Sequence, residues 1–263
     1  MRIAVLVKQV PSGSDEGTDM ENGFVVRTGR RRMNPYDPSA LAAALELRDR
    51  FGGRVDVFSM GPAGAREVVA EALAVGADQG WLMTDKAFAG ADSLSTARTL
   101  SAGLDCVGEY DLILCGEKTT DGDTGQVGAS LASLRGLAFF GRVEVFEALD
   151  QGARLSLTHW ADEFRQRVET ILPIVCSVNR DSFTPRMPSL KMKMKKNPVQ
   201  ELGLADLAEP DPDRYGSLGS PTKIKKVFFP ERRPRGDVRE VGAAEAVELI
   251  LKAVREMNNH EAK

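Results

Sequence analysis

The residues best suited to chemistry lie in one stretch, Tyr110–Ala129, which reads YDLILCGEKTTDGDTGQVGA. Leu112–Cys115 is a short apolar run, as expected of a buried strand in a parallel sheet. Gly116 ends it, and no apolar side chain follows between Glu117 and Thr124. Gly125–Ala132 then has the composition of a helix start, with Asp123 or Thr124 as its N-cap. A strand, a turn of small polar residues and a helix N-terminus together make an anion site. The first N–H groups of a helix lack intrahelical acceptors, and its dipole favours negative charge. The stretch is read as the phosphate-binding turn of a nucleotide site.

Other readings of the turn fit less well. No G-K-[ST] follows at the Walker spacing, and the glycines do not make G-x-G-x-x-G. Asp121 and Asp123 with Gly125 hint at a calcium loop, but the third oxygen ligand and the distant glutamate are missing, so no metal site is expected. Any strand–turn–helix junction also needs small polar residues, and the turn taken alone does not separate that plain reading from a nucleotide site.

The preceding elements must position this turn. Ile3–Val7 is apolar throughout and is expected to be a central parallel strand, left through Lys8–Gln9–Val10–Pro11. Ser39–Phe51 is an amphipathic helix closed by Gly52–Gly53. Val55–Met60 is the second strand, followed by Gly61–Pro62 and a helix over Ala63–Leu73. Trp81–Met83 is a third strand, and Phe88–Asp92 a small-residue turn before a helix over Ser93–Val107. Strands alternating with helices predict an α/β fold with a doubly wound, mostly parallel sheet. The turns at Lys8–Pro11, Met60–Pro62, Phe88–Asp92 and Gly116–Gly125 then lie along one edge, where open α/β sheets bind ligands.

After Leu137 the pattern changes. Gly141–Ala148, Arg154–Trp160 and Gln166–Ile171 alternate as antiparallel strands do, and Pro173–Val178 resembles a buried strand. Gly23–Arg27 alternates weakly, as in an edge hairpin, and Leu190–Lys196 alternates leucine or methionine with lysine, as an edge strand could. Glu209–Asp213 is a stiff acidic linker, and Val241–Met257 a closing amphipathic helix. The chain is divided into a nucleotide-binding domain over 1–190 and an extended C-terminal arm over 191–263, with too little core for a monomer and expected to wrap another subunit.

Composition narrows the class. The chain has 263 residues, 42% of them hydrophobic and 28% charged, and a net charge of −3. This gives no general drive toward nucleic acid, and no aromatic platform accompanies the lysines of 191–196. No apolar run approaches the roughly 18 residues of a membrane span. Cys106, Cys115 and Cys176 are expected to be buried structural thiols in a reducing compartment, hence the cytoplasm.

Several motifs in order resemble one family. Val7–Pro11, Met33–Asp37, Ser59–Pro62, Glu71–Asp78 and Asp121–Gln126 resemble the β subunit of electron-transfer flavoprotein over nearly the full chain. Phe88–Asp92 and Gly219–Lys223 are similar to its electron-bifurcating branch. The resemblance implies a heterodimer with an α subunit carrying FAD. It also implies an adenine nucleotide in the β subunit, either FAD reduced by NADH or, in the conventional branch, structural AMP. Implied partners are an acyl-CoA dehydrogenase-type or quinone-reducing protein and, with bifurcation, ferredoxin. No side chain is expected to act as acid, base or nucleophile, because the flavin carries the redox chemistry.

The resemblance also implies the cofactor-binding residues. Leu6 lies near the adenine. Asn34, Pro35, Tyr36, Asp37, Met60 and Gly61 line the site, with Phe88, Gly90, Ala91 and Asp92 in the neighbouring turn. Thr119, Thr120, Asp121, Gly122, Asp123, Thr124, Gly125, Gln126, Val127 and Gly128 wrap the ribose and phosphates. Glu117–Lys118–Thr119–Thr120 departs from the Arg/Lys-Gln-Ala-Ile usual in the family. Arg186 and Leu190 match the loop that docks on partner dehydrogenases, with Leu190 as the anchor. A second class remains open, a non-redox adenine-nucleotide-binding regulatory protein, which has no need for the long arm or the Leu190 loop.

Overall fold

The computed structural model describes residues 1–12, 17–18, 25–26, 30–149, 154–195, 198–223, 225, 238 and 240–261. By its contacts the chain forms two units, Met1–Lys226 and Val227–Lys263.

In the first unit the elements run β1 (Arg2–Leu6), β2 (Gln9–Pro11), β3 (Gly17–Thr18), β4 (Val25–Val26), β5 (Arg31–Met33), α1 (Asp37–Phe51), β6 (Arg54–Met60), α2 (Arg66–Val75), β7 (Gln79–Met83), α3 (Ser93–Val107), β8 (Leu112–Gly116) and α4 (Val127–Arg135). Then follow β9 (Ala138–Leu149), β10 (Arg154–Ala161), β11 (Phe164–Ile171), β12 (Ile174–Val178), α5 (Leu190–Lys195) and β13 (Val199–Leu202). The main sheet has nine strands in the order β11-β10-β9-β12-β8-β1-β6-β7-β13. From β9 to β13 neighbouring strands are parallel, while β10 pairs antiparallel with both β9 and β11. The doubly wound α/β architecture is as expected, with the antiparallel strands added at one end.

Both faces of the sheet are covered, because β1 is apolar on both of its alternating faces. Ile3, Val5 and Val7 share one core with Leu41 and Leu45 of α1 and Val69 and Leu73 of α2. Ala4 and Leu6 share the other with Leu100 and Leu104 of α3 and Leu131 of α4. Gly136 closes α4 in the left-handed conformation, at φ 64°.

Several expectations change. Leu190–Lys195 is helical and packs on α2, because the Ser189 N–H is drawn to the Ala74 carbonyl (2.8 Å) and the Lys193 N–H donates back to the Ser189 carbonyl (2.9 Å). The expected helix over Ala63–Leu73 begins with a 3-10 turn, Ala63–Ala65, before α2. The expected Gly23–Arg27 hairpin is partly outside the described residues; Val25–Val26 pairs antiparallel with Gly17–Thr18. Cys115 and Cys176 are buried as expected, but Cys106 is exposed near the end of α3, with its thiol on the Asp206 carbonyl (3.3 Å). In the second unit α6 (Ala243–Glu261) carries Val247, Ile250, Leu251 and Val254 at helical spacing.

Candidate functional site

The chain leaves β1 for β6 on one side and later adds β8 on the other. The crevice beyond the carboxyl ends of β1 and β8 is therefore the topological switch point of the sheet. The segments after β1 and β8 meet there. Lys8 Nζ donates to Asp121 Oδ1 across the crevice at 2.8 Å.

Asp37 holds the floor of this crevice. Its Oδ2 accepts the Lys8 N–H (2.7 Å), and its Oδ1 accepts Asn34 Nδ2 (2.6 Å). Asn34 is fully buried. Its Nδ2 also donates to the Lys118 carbonyl (3.0 Å), and its Oδ1 accepts the Thr120 N–H (3.2 Å). Two side chains at the start of α1 thus bind both the exit of β1 and the turn after β8. Burial drives the Asp37 carboxyl up to about 7, against the hydrogen bonds from Lys8 and Asn34 and the charge of Lys8. Tyr36 stands alongside, with Lys118 Nζ 5.9 Å and Arg180 Cζ 5.5 Å from its ring centroid.

The turn itself differs from expectation at its helix. α4 starts at Val127 with Gln126 at the N-cap, not at Gly125 with Asp123 or Thr124. Asp123 is committed elsewhere. Its carboxylate pairs with Lys118 Nζ (2.8 Å), its N–H donates to the Thr119 carbonyl (2.8 Å), and its φ is 51°. Gly125 follows at φ 61°, a left-handed geometry that ends any helical continuity. No side chain caps α4. Its first-turn N–H groups therefore face the crevice edge without an internal acceptor, which is the arrangement that holds an anion. Gly128 lets this helix end approach β8, since a Cβ there would stand 2.8 Å from Cys115 Sγ.

A second wall is built from two segments far apart in sequence. Asp92 caps α3 through the Ser95 N–H (2.9 Å), while its other carboxylate oxygen accepts the Thr222 N–H (3.0 Å). The Asp92 N–H donates to Ser220 Oγ (2.8 Å), and the Ser217 N–H to the Ala89 carbonyl (2.8 Å). Phe88, buried in the core, meets Tyr215 edge-on at 5.7 Å between ring centroids. Ser93 Oγ donates to Gln126 Oε1 (3.2 Å), which joins this wall to the turn after β8. The Phe88–Asp92 and Gly219–Lys223 motifs thus meet in space. Asp92→Ala is expected to lower stability by about 1–2 kcal/mol. It should also raise amide exchange over Gly216–Thr222, which mass spectrometry can follow.

The other expected residues fall as follows. Leu6 is buried at the end of β1, and Met60 and Gly61 are half-buried at the end of β6. Gly90 is exposed with φ 71°, and Ala91 is half-buried beside it. Pro35 is half-buried, Thr119 and Asp121 face the crevice half-buried, and Thr120, Gly122 and Thr124 are exposed. Leu190 and Arg186 lie away from this site. Leu190 opens α5 with 73% of its surface exposed, and Arg186 is pinned to Asp49 of α1 (2.6 Å). The ion pairs of Lys8 and Lys118 were missed from sequence. A lysine directly after the central strand was the available signal for the first.

A family model described as electron transfer flavoprotein domain matches residues 22–207. The chain is 35% identical over 259 residues to the electron transfer flavoprotein subunit beta of Clostridium acetobutylicum, covering 97% of this chain and 98% of that one. The chain belongs to the electron transfer flavoprotein β-subunit family. The chain is also 34% identical over 248 residues to the caffeyl-CoA reductase-Etf complex subunit CarD of Acetobacterium woodii, covering 90% and 91% of the two chains. It is 32% identical over 267 residues to Protein FixA of Bradyrhizobium diazoefficiens, covering 97% and 91%. The β1/β8 crevice is the switch point of the sheet, the place where open α/β sheets bind ligands. Among the described residues no helix is long and apolar enough to cross a membrane.

Proposed function

We propose that this chain is the FAD- and NADH-using β subunit of a heterodimeric electron transfer flavoprotein. In this reading the β1/β8 crevice holds FAD, with its pyrophosphate on the first turn of α4 and the strand-end loops Asn34–Asp37 and Met60–Gly61 beside the adenosine. The observation that carries it is the second wall. The Phe88–Asp92 turn, braced by Ser220 and Thr222 and joined to Gln126 through Ser93, would give a dinucleotide a second surface beside the turn after β8. FAD bound there would supply hydride acceptance and one-electron release. The protein's own part is to hold the nucleotide, through N–H groups at the phosphates and through the Asp37–Asn34 brace under the turn. Electrons from NADH pass in this account to an α-subunit FAD and on to an acyl-CoA dehydrogenase-type or quinone-reducing partner, with ferredoxin as the low-potential acceptor of a bifurcating reaction. An anaerobic NADH titration of the αβ complex tests it. Bleaching of the complex's flavin by stoichiometric NADH is expected, and unchanged flavin absorbance would count against NADH as donor.

The docking assignment has its own test. Met187, Leu190 and Met194 are exposed along α5 and the loop before it, 87%, 73% and 74% respectively. An apolar anchor that fills a partner's pocket is worth about 2 kcal/mol or more when truncated. Leu190→Asp should therefore slow reduction of the partner about 30-fold. NADH oxidation by artificial acceptors and the melting temperature should not change. Equal loss of both electron-transfer activities would make Leu190 a structural residue.

A further inference from the structure

Two buried side chains hold the turn after β8, and their donors and acceptors suit one charge state. The backbone of the turn sets the roles. The Lys118 carbonyl can only accept, and it faces Asn34 Nδ2 at 3.0 Å. The Thr120 N–H can only donate, and it faces Asn34 Oδ1 at 3.2 Å. The orientation of the Asn34 amide is therefore fixed, and the group it turns to Asp37 Oδ1, at 2.6 Å, is a donor. Asp37 Oδ2 meets a second donor, the Lys8 N–H at 2.7 Å. Both carboxyl oxygens thus accept, as an ionised carboxylate does, and a proton placed along either bond would meet a hydrogen already there. Burial works the other way, since a charge out of water is costly, and it pushes this carboxyl up to about 7. Of the charges that face it, Lys8 favours the ionised form and Asp121 opposes it. Cys115 of β8 lies in the same field, but burial pushes its thiol up to about 12 and keeps it neutral there. Lys118 and Arg180 stand over the ring of the neighbouring Tyr36.

We propose that Asp37 and Asn34 form a proton-operated catch that sets the order of the turn after β8 by pH. Ionised Asp37 holds the Asn34 amide, and the amide holds Lys118 and Thr120. Proton uptake puts a donor on Asp37. The Lys8 N–H belongs to the backbone and cannot become an acceptor, but the Asn34 amide can rotate and offer its oxygen. Rotation takes that oxygen from the Thr120 N–H and the amide nitrogen from the Lys118 carbonyl, so both bonds to the turn are lost. The turn is held above the midpoint of Asp37 and released below it. The catch belongs to the chain itself and does not depend on what the crevice holds.

The test is nuclear magnetic resonance of the full chain, without added nucleotide, from about pH 5.5 to about pH 8.5, on either side of that midpoint. The Asp37 carboxyl carbon reports ionisation. Hydrogen exchange of the Thr120 amide, taken relative to its intrinsic rate at each pH, reports the catch. Thr120 should lose about tenfold in protection as pH falls, the effect of two hydrogen bonds of modest net strength. Its midpoint should be that of the carboxyl carbon. Asp37→Asn carries the donor permanently, so its Thr120 should be as poorly protected at the upper pH as that of the wild type at the lower. A carboxyl carbon that titrates while Thr120 protection stays constant would overturn the proposal without needing any variant. So would a carbon that does not titrate between these limits. A folded Asp37→Asn chain that keeps the wild-type protection at the upper pH would also overturn it.

Discussion

Gly116→Ala is expected to destabilise the chain by about 2–3 kcal/mol, the upper part of the roughly 1–3 kcal/mol typical of overpacking a filled core, and to weaken nucleotide binding about 100-fold if the same energy falls on the bound state. An added Cβ would stand 2.5 Å from Asp37 Oδ1, 2.8 Å from Tyr36 Cβ and 2.9 Å from the Tyr36 carbonyl carbon. The last of these is backbone at the start of α1 and cannot swing aside as a flexible side chain could. Relief requires Asp37 to leave the Lys8 N–H or Asn34 to release Lys118 and Thr120, and either change uncouples the phosphate turn from its floor. Gly122→Ala is the control, since its Cβ would meet only Thr119 Oγ1, at an ordinary 3.5 Å. Urea unfolding gives the stability, and calorimetry with the nucleotide the affinity. If Gly116→Ala binds as tightly as Gly122→Ala, the packing of Asp37 against β8 does not govern the turn.

Stability should fall by roughly 2–3 kcal/mol between pH 5 and pH 8 on account of Asp37 alone, at about 1.4 kcal/mol per pH unit. Burial, the largest cause, raises this carboxyl from 3.8 to about 7 in the folded chain. The folded state thus binds a proton that the unfolded state has already released. The advantage is complete below about pH 4, declines as pH rises toward 7, and has gone above it. Asp37→Asn has no proton to lose, so its stability should run nearly level across that window relative to the wild type. Its absolute stability should also reflect one lost hydrogen bond, because an amide cannot accept from both the Lys8 N–H and Asn34 Nδ2. Guanidinium unfolding of both chains from pH 5 to pH 8 measures the difference. Parallel curves would mean that Asp37 does not titrate there.

Most of the parallel half was legible as short, mainly apolar runs, but β13 was not, because Val199–Leu202 carries Gln200 and Glu201 and its pairing with β7 joins residues more than 100 apart in sequence. The run at β1 and that at β8 were placed within one residue of the strands found. The antiparallel strands after Leu137 were legible from alternation. The same alternation misled at Leu190–Lys195, since a six-residue segment of leucine, methionine and lysine suits either period and only its contact with α2 decides. In the site, the convergence of loops was legible from topology. The helix start was not, because Asp123 and Thr124 are good caps by residue type. An ion pair with Lys118 and two left-handed residues, invisible to local pattern, move the start to Val127. The meeting of Asp92 with Ser220 and Thr222 spans more than 120 residues and could be reached from sequence only through family resemblance.

The most direct test of the central claim is the nucleotide content of the purified complex with its α subunit. Denaturing it, separating the released cofactors and counting them per heterodimer decides what the β1/β8 crevice holds. The account predicts two FAD and no AMP. One FAD with one AMP would contradict it and make this chain the scaffold of a single-flavin shuttle.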